Sequence, residues 1–171
     1  GWRLALGMLT DASIVLALWI MFTVPPRPGL VGDGPGTKVL KRSILMPGVM
    51  GVLVALFGWT VAHNMVYTYI QPLTSGVGIA LGVDVVLLFF GISAGISILL
   101  TAVVVDKRLF LTGLISGALM LLGFLLLSVP AAPNYFFISG IIVWGLGFGG
   151  APTVLQTALA RNAVNLADIA Q

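Results

Sequence analysis

From residue 59 to residue 71 the sequence reads Trp-Thr-Val-Ala-His-Asn-Met-Val-Tyr-Thr-Tyr-Ile-Gln, and its polar members recur at helical intervals. Thr60, His63, Asn64, Tyr67 and Gln71 are spaced by threes and fours, which sets them on one face of an α-helix, flanked by Trp59 and Tyr69. Hydroxyl, imidazole, amide and phenol groups in one stripe can donate and accept hydrogen bonds to a small polar solute, and the imidazole titrates near neutrality. Two readings stand. The stripe, together with Trp59, is a substrate-facing wall in the outer half of a transport path, or it is a seam of interhelical hydrogen bonds. His63 is correspondingly a proton carrier or a polar packing residue. Asp11, between Thr10 and Ala12 in another apolar run, is a second relay candidate; its alternative is a carboxyl group hydrogen-bonded to a helix outside this sequence.

Other chemistries find little support. Gly91-x-Ser93-x-Gly95 has the spacing of a hydrolase nucleophile elbow, and Gly145-x-Gly147-x-x-Gly150 that of a dinucleotide-binding turn. Both devices need a β-strand leading into the turn, and both matches lie inside apolar helical runs. With one histidine and no cysteine, thiolate metal sites and disulfides are excluded, and no catalytic constellation, metal or cofactor is expected. A net charge of +3 is too small to serve as a nucleic-acid footprint.

The elements that must position these residues are set by composition. Charged residues are 8% and hydrophobic residues 59% of the chain, whereas a soluble domain carries about 25% charged residues. Most of this surface must therefore face lipid. Five runs are long and apolar enough to cross a bilayer core about 30 Å thick: Leu4–Val24, Ile44–Ile70, Val85–Val105, Leu109–Val129 and Tyr135–Leu159. Only helices suit them, because backbone groups in hydrocarbon must pair within the segment. The expected fold class is an all-α membrane protein of about five transmembrane helices.

Charge sets the orientation. Arg27, Lys38, Lys41 and Arg42 lie between the first and second spans, Lys107 and Arg108 between the third and fourth, and Arg161 after the fifth. The alternate connections, Gln71–Asp84 and Pro130–Asn134, contain no Lys or Arg, and Arg3 is the one exception to the pattern. The basic connections are therefore expected on the cytoplasmic side of an inner membrane crossed several times. The first of them is rich in proline and glycine, including Pro25-Pro26-Arg27-Pro28-Gly29, and reads as a linker. Residues 1–24 are then the last helix of one bundle, 25–43 a linker between bundles, and 44–171 part of a second bundle. A division into one and four, and a start without Met, suggest a piece of something larger.

Small residues add mechanics. Gly91/Gly95, Gly113/Gly117 and Gly145/Gly149 are G-x-x-x-G pairs, a spacing that lets helices approach closely in lipid. The fifth span also holds Gly147, Gly150 and Pro152, so it reads either as a bendable gate helix or as a tightly packed one. Asp84 reads as a helix N-cap. Asp106-Lys107-Arg108 reads as a tight turn.

Taken in order, these segments resemble the major facilitator superfamily, in particular its bacterial drug–proton antiporter and sugar-efflux (arabinose-type) branch. Gly1-Trp2-Arg3 resembles the start of the sixth helix, and the Pro/Gly linker the loop joining two six-helix halves. Tyr67-Thr68-Tyr69-Ile70-Gln71-Pro72 is similar to the close of the seventh helix. Gly91-Ile92-Ser93-Ala94-Gly95, leading to Asp106-Lys107-Arg108, resembles the eighth helix and the second-half echo of the cytoplasmic loop motif. That echo has Ala102 where glycine is usual and Lys107 where arginine is commoner. Trp144-Gly145 through Gly149-Gly150-Ala151-Pro152, with Gln156, is similar to the tenth helix.

The resemblance implies helices six to ten of twelve in a secondary transporter, a permease working by alternating access. It further implies proton-coupled export of a small organic solute, a sugar or drug-like compound, with the missing N-terminal helices of the same transporter as partners. The alternative is a non-transporting helical membrane protein, such as an assembly or channel-like subunit.

Overall fold

The computed structural model describes residues 2–25, 48–79, 81–130 and 133–169. Linker residues 26–43, with Arg27, Lys38, Lys41 and Arg42, lie outside the described residues, as does the beginning of the second expected span. The chain divides into two compact units, Gly1–Leu40 and Lys41–Gln171.

The first unit contains α1, Trp2–Thr23. All its described side chains are exposed. Its hydroxyls are satisfied locally: Thr10 donates to the Leu6 carbonyl (2.9 Å), Ser13 to Leu9 (2.8 Å) and Thr23 to Trp19. Such back-bonding hides a hydroxyl from lipid without requiring a partner helix.

The second unit is a helical bundle. Helix α2 runs Val49–Val77, seven residues beyond the expected end at Ile70, with Pro72 inside it. Proline deprives the Thr68 carbonyl of its helical donor, and the helix nevertheless continues; in the next turn Thr74 donates to Ile70 (2.7 Å) and Ser75 to Gln71 (3.0 Å) through their side chains. The helix stops at Gly78, whose φ of 70° is a left-handed conformation that suits glycine.

The third and fourth spans form one helical stretch, α3, Val83–Leu127, broken only at Arg108 (φ −142°, ψ 51°). The expected turn at Asp106-Lys107-Arg108 is thus a single non-helical residue. Its two arms lie side by side: residues 97–104 and 112–119 line a shared cavity of 370 Å³. Asp84 is not the N-cap. Gly82 takes that place, and Asp84 sits in the first turn, where a carboxylate complements the helix dipole.

The fifth span divides into α4, Asn134–Gly149, and α5, Ala151–Ile169. Helix α4 is the most buried part of the bundle and packs chiefly against α3. The core gathers Ile70 from α2, Val86 and Met120 from the two arms of α3, and Phe137, Ile141 and Trp144 from α4. All five helices are long and apolar enough to cross a membrane when α4 and α5 are taken as one span and α3 as two. No strand occurs among the described residues.

The bundle has a basic end and an end without Lys or Arg, where Asp84 lies. Gly48, before α2, abuts Asn162 of α5, and Arg161 reaches Asp106 at the bend of α3. At the other end, Gln71 and Thr74 of α2 meet Gly82 and Val83 around a cavity of 180 Å³.

Candidate functional site

Helix α2 has two faces that meet at His63. Trp59, Ala62, Val66, Ile70 and Leu73 turn into the bundle and pack on its core. Thr60, Asn64, Tyr67 and Gln71 are exposed, so four of the five stripe residues lie on the side turned away from α3 and α4. Asn64 donates to the Thr60 carbonyl of its own helix (2.8 Å). Gln71 lines the small cavity at the end opposite the basic one.

His63 belongs to both faces. Its imidazole lies flat against Phe148 of α4, with centroids 3.6 Å apart and planes 10° apart. It also lies 5.3 Å from Trp144, 5.6 Å from Phe90 and 5.6 Å from Tyr67. Phe90 and Trp144 are themselves 4.4 Å apart. This joins α2, the first arm of α3 and α4 in one aromatic cluster. Trp59 Nε1, His63 Nδ1 and Trp144 Nε1 are buried without a hydrogen-bond partner among the described residues, an arrangement that calls for an explanation in a folded protein. The sequence pattern identified His63 but not the ring system around it. Trp144 and Phe148 are one helical turn apart, yet both belong to an apolar run, and nothing in the run announces that a polar ring will meet them.

Asp11 is exposed on α1. Asp106 and Arg161 form the basic-end contact: the Arg161 guanidinium donates to the Asp106 carbonyl (2.7 Å) and lies 3.6 Å from its carboxylate. Lys107 and Arg108 are exposed.

The glycines of the fifth span are held tightly. A methyl group on Gly145 would come 2.7 Å from the Phe90 carbonyl, and on Gly149 2.7 Å from the Ala94 carbonyl carbon. On Gly147 it would come 2.9 Å from Met120 Cα, on the other arm of α3. Helix α4 is thus wedged between two arms that approach to backbone contact. The interruption at Gly150 has a further cause, Ser97 of α3, which the sequence reading passed over. Ser97 Oγ donates to the Leu146 carbonyl (2.6 Å) and accepts from the Gly150 N–H (3.1 Å). It therefore stands between two groups that would otherwise bond each other in a continuous helix, and a side chain inserted into the ladder breaks or bends a helix. Pro152, without an N–H, leaves the Phe148 carbonyl lacking its helical donor in the same turn. The signal in sequence was Ser93, Ser97 and Thr101 at intervals of four, all buried, a small polar seam of the kind that joins helices in lipid.

A larger cavity, 630 Å³, lies elsewhere, between α2, the second arm of α3 and α5, and is lined by Trp59, Gly113, Gly117, Val154 and other apolar groups. It offers a polar solute almost no hydrogen bonds, so size alone does not make it the site. Among the described residues no group of three or more His, Cys, Asp or Glu residues is placed to hold a metal ion.

The family model described as Major Facilitator Superfamily matches residues 1–168. Curated relatives include the purine ribonucleoside efflux pumps NepI of Escherichia coli K12 and of Shigella flexneri, each 26% identical over 173 residues, covering 98% of this chain and 42% of the relative. The corresponding protein of E. coli O127:H6 is 25% identical over the same share. The chain thus spans well under half the length of these relatives. No solved structure matches it.

Proposed function

Since this chain belongs to the major facilitator superfamily, we propose that it forms part of a secondary transporter exporting a small organic solute in exchange for protons, by rocking of two helical bundles around a central site. The observation that carries this reading is the exposed polar face of α2. Thr60, Asn64 and Tyr67 lie within the apolar span, on the side turned away from the other described helices of their unit, and Gln71 continues the face at its outer end. Lipid gives such groups no hydrogen bonds, so they belong against water or solute. Trp59 and His63 border that face. The efflux pumps among its relatives support export as the direction, and a purine ribonucleoside joins sugars and drug-like compounds as a candidate solute.

Roles follow from position. The basic end, with Lys107, Arg108 and Arg161, is cytoplasmic in a plasma membrane. The residues Gly145, Gly147, Gly149, Gly150 and Pro152 form the joint at which α5 bends relative to α4, an inner gate next to the Asp106–Arg161 contact. Asp11 is the acid at depth that carries the exchanged proton. His63, its ring held in the aromatic cluster, serves as wall rather than carrier. The remaining helices of the two bundles come from the parts of the transporter that this chain does not span.

The test is export from proteoliposomes containing the full-length transporter, driven by an imposed proton gradient. Radiolabelled solute should move only with the gradient, and Asp11→Asn should abolish gradient-driven movement while leaving solute binding intact. Gradient-independent movement in the wild type, or unaltered coupling in Asp11→Asn, would contradict the respective part of the reading.

A further inference from the structure

The face-to-face stack of His63 on Phe148 shows what the cluster accommodates: a flat heteroaromatic ring, seated on a phenyl ring and edged by Trp144 and Phe90. The seat is poorly matched to histidine itself. Nδ1 of His63 is buried without a partner among the described residues, and so is the indole N–H of Trp144, whose side chain is fully buried. Leaving such groups unpaired costs more than an ordinary hydrogen bond contributes. His63 also stands at the border of the exposed polar face, beside Thr60, Asn64 and Tyr67. A change of side-chain rotamer would carry the imidazole out of the cluster toward these groups and open the seat on Phe148. Rings stack favourably on a phenyl face in offset arrangements, and a ring with acceptors on its edge would also pair with the Trp144 N–H.

We propose that the His63 imidazole is a built-in stand-in for the solute, and that the transporter's solute carries a planar heteroaromatic ring with hydrogen-bond acceptors on its edge, such as a nucleobase. That ring displaces His63 from Phe148. The proposal rests on the transport reading and narrows it, because a bare sugar has no ring able to take this seat. His63 then acts as a competitor built into the site: an apparent affinity is lowered by the fraction of time the binding-competent form is unoccupied by its own side chain.

The test is equilibrium binding of adenosine and of ribose to the purified full-length transporter in lipid nanodiscs, with counterflow in proteoliposomes run in parallel. His63→Ala, which removes the competitor, should tighten adenosine binding about fivefold. His63→Phe, which fills the seat with a ring that buries no unpaired nitrogen, should weaken it about tenfold, and Phe148→Leu, which removes the platform, should weaken it by a similar factor. Ribose binding should show neither the gain in His63→Ala nor the tenfold losses in the other two. Weaker adenosine binding in His63→Ala, or no change in Phe148→Leu, overturns the seat even where export continues. Absence of export of both solutes overturns the transport reading instead, and the binding series still decides the seat.

Discussion

Gly145 and Gly149 stand four residues apart in α4, and Gly91 and Gly95 stand four apart in the first arm of α3, yet the two pairs live in opposite surroundings. A methyl group added to either α4 glycine would collide with the backbone of α3, whereas at Gly91 or Gly95 it would meet nothing within 4 Å. The same spacing is a contact seam in one helix and a bare face in the other. What distinguishes them is position. Helix α4 lies between both arms of α3, so two of its faces must be small, while the first arm of α3 has α4 on one side only. A small-residue pair permits close approach but does not supply the helix that approaches.

The largest effect should separate the two pairs. Gly149→Val forces a branched side chain into the Ala94 backbone and should cost about 3 kcal/mol or more, seen as loss of monodisperse protein on size-exclusion chromatography. Gly91→Val should change stability by no more than about 0.5 kcal/mol. A large loss at Gly91 would sharpen the comparison, since it would mean that a helix outside this chain packs there.

Ser97 supplies the next contrast. Ser97→Ala removes the hydroxyl that hydrogen-bonds α3 to both sides of the break at Gly150, and should lower the thermal unfolding midpoint in detergent by an amount equivalent to about 1–2 kcal/mol. Ser139, which donates only to Phe136 of its own helix (2.9 Å), should tolerate alanine with a smaller loss. Equal losses would mean that the bridge adds nothing beyond local back-bonding.

The smallest effect belongs to the basic end. The Asp106 side chain is 82% exposed and that of Arg161 46%, so Arg161→Ala should cost less than about 1 kcal/mol. The loss should shrink further in high salt. Asp106→Asn should cost less still, because the Arg161 guanidinium keeps the Asp106 backbone carbonyl as an acceptor.

The parts legible in the sequence were those written in local composition. Long apolar runs separated by connections that alternately carry and lack Lys and Arg specify spans and their order, and the spacing of Thr60, Asn64, Tyr67 and Gln71 specifies a shared helical face. The parts not legible depend on which helix meets which. Residue 146 of α4 meets residue 97 of α3, and His63 meets residue 148, contacts between segments far apart in sequence whose own periods are unremarkably apolar. The turn at Asp106-Lys107-Arg108 was legible as a charged step between two apolar runs; that a single residue, Arg108, makes the whole bend was not. The expected end at Ile70 fell short because the helix runs on through the polar turn Gln71–Ser75, Pro72 included, which an apolar run leaves out.

The central claim is that α2 presents a wet polar wall on one face and a dry packed face on the other. Single cysteines at Thr60, Asn64 and Tyr67, and at Val66 and Ile70 as the packed counterparts, test it in the full-length transporter reconstituted in lipid. A membrane-impermeant, water-soluble thiol reagent should modify the first three rapidly in at least one transport state, with bound solute slowing the reaction, and should leave the last two slow throughout. Equal rates across the two sets, or no protection by solute at Thr60, Asn64 and Tyr67, would contradict the wall and return the stripe to helix packing.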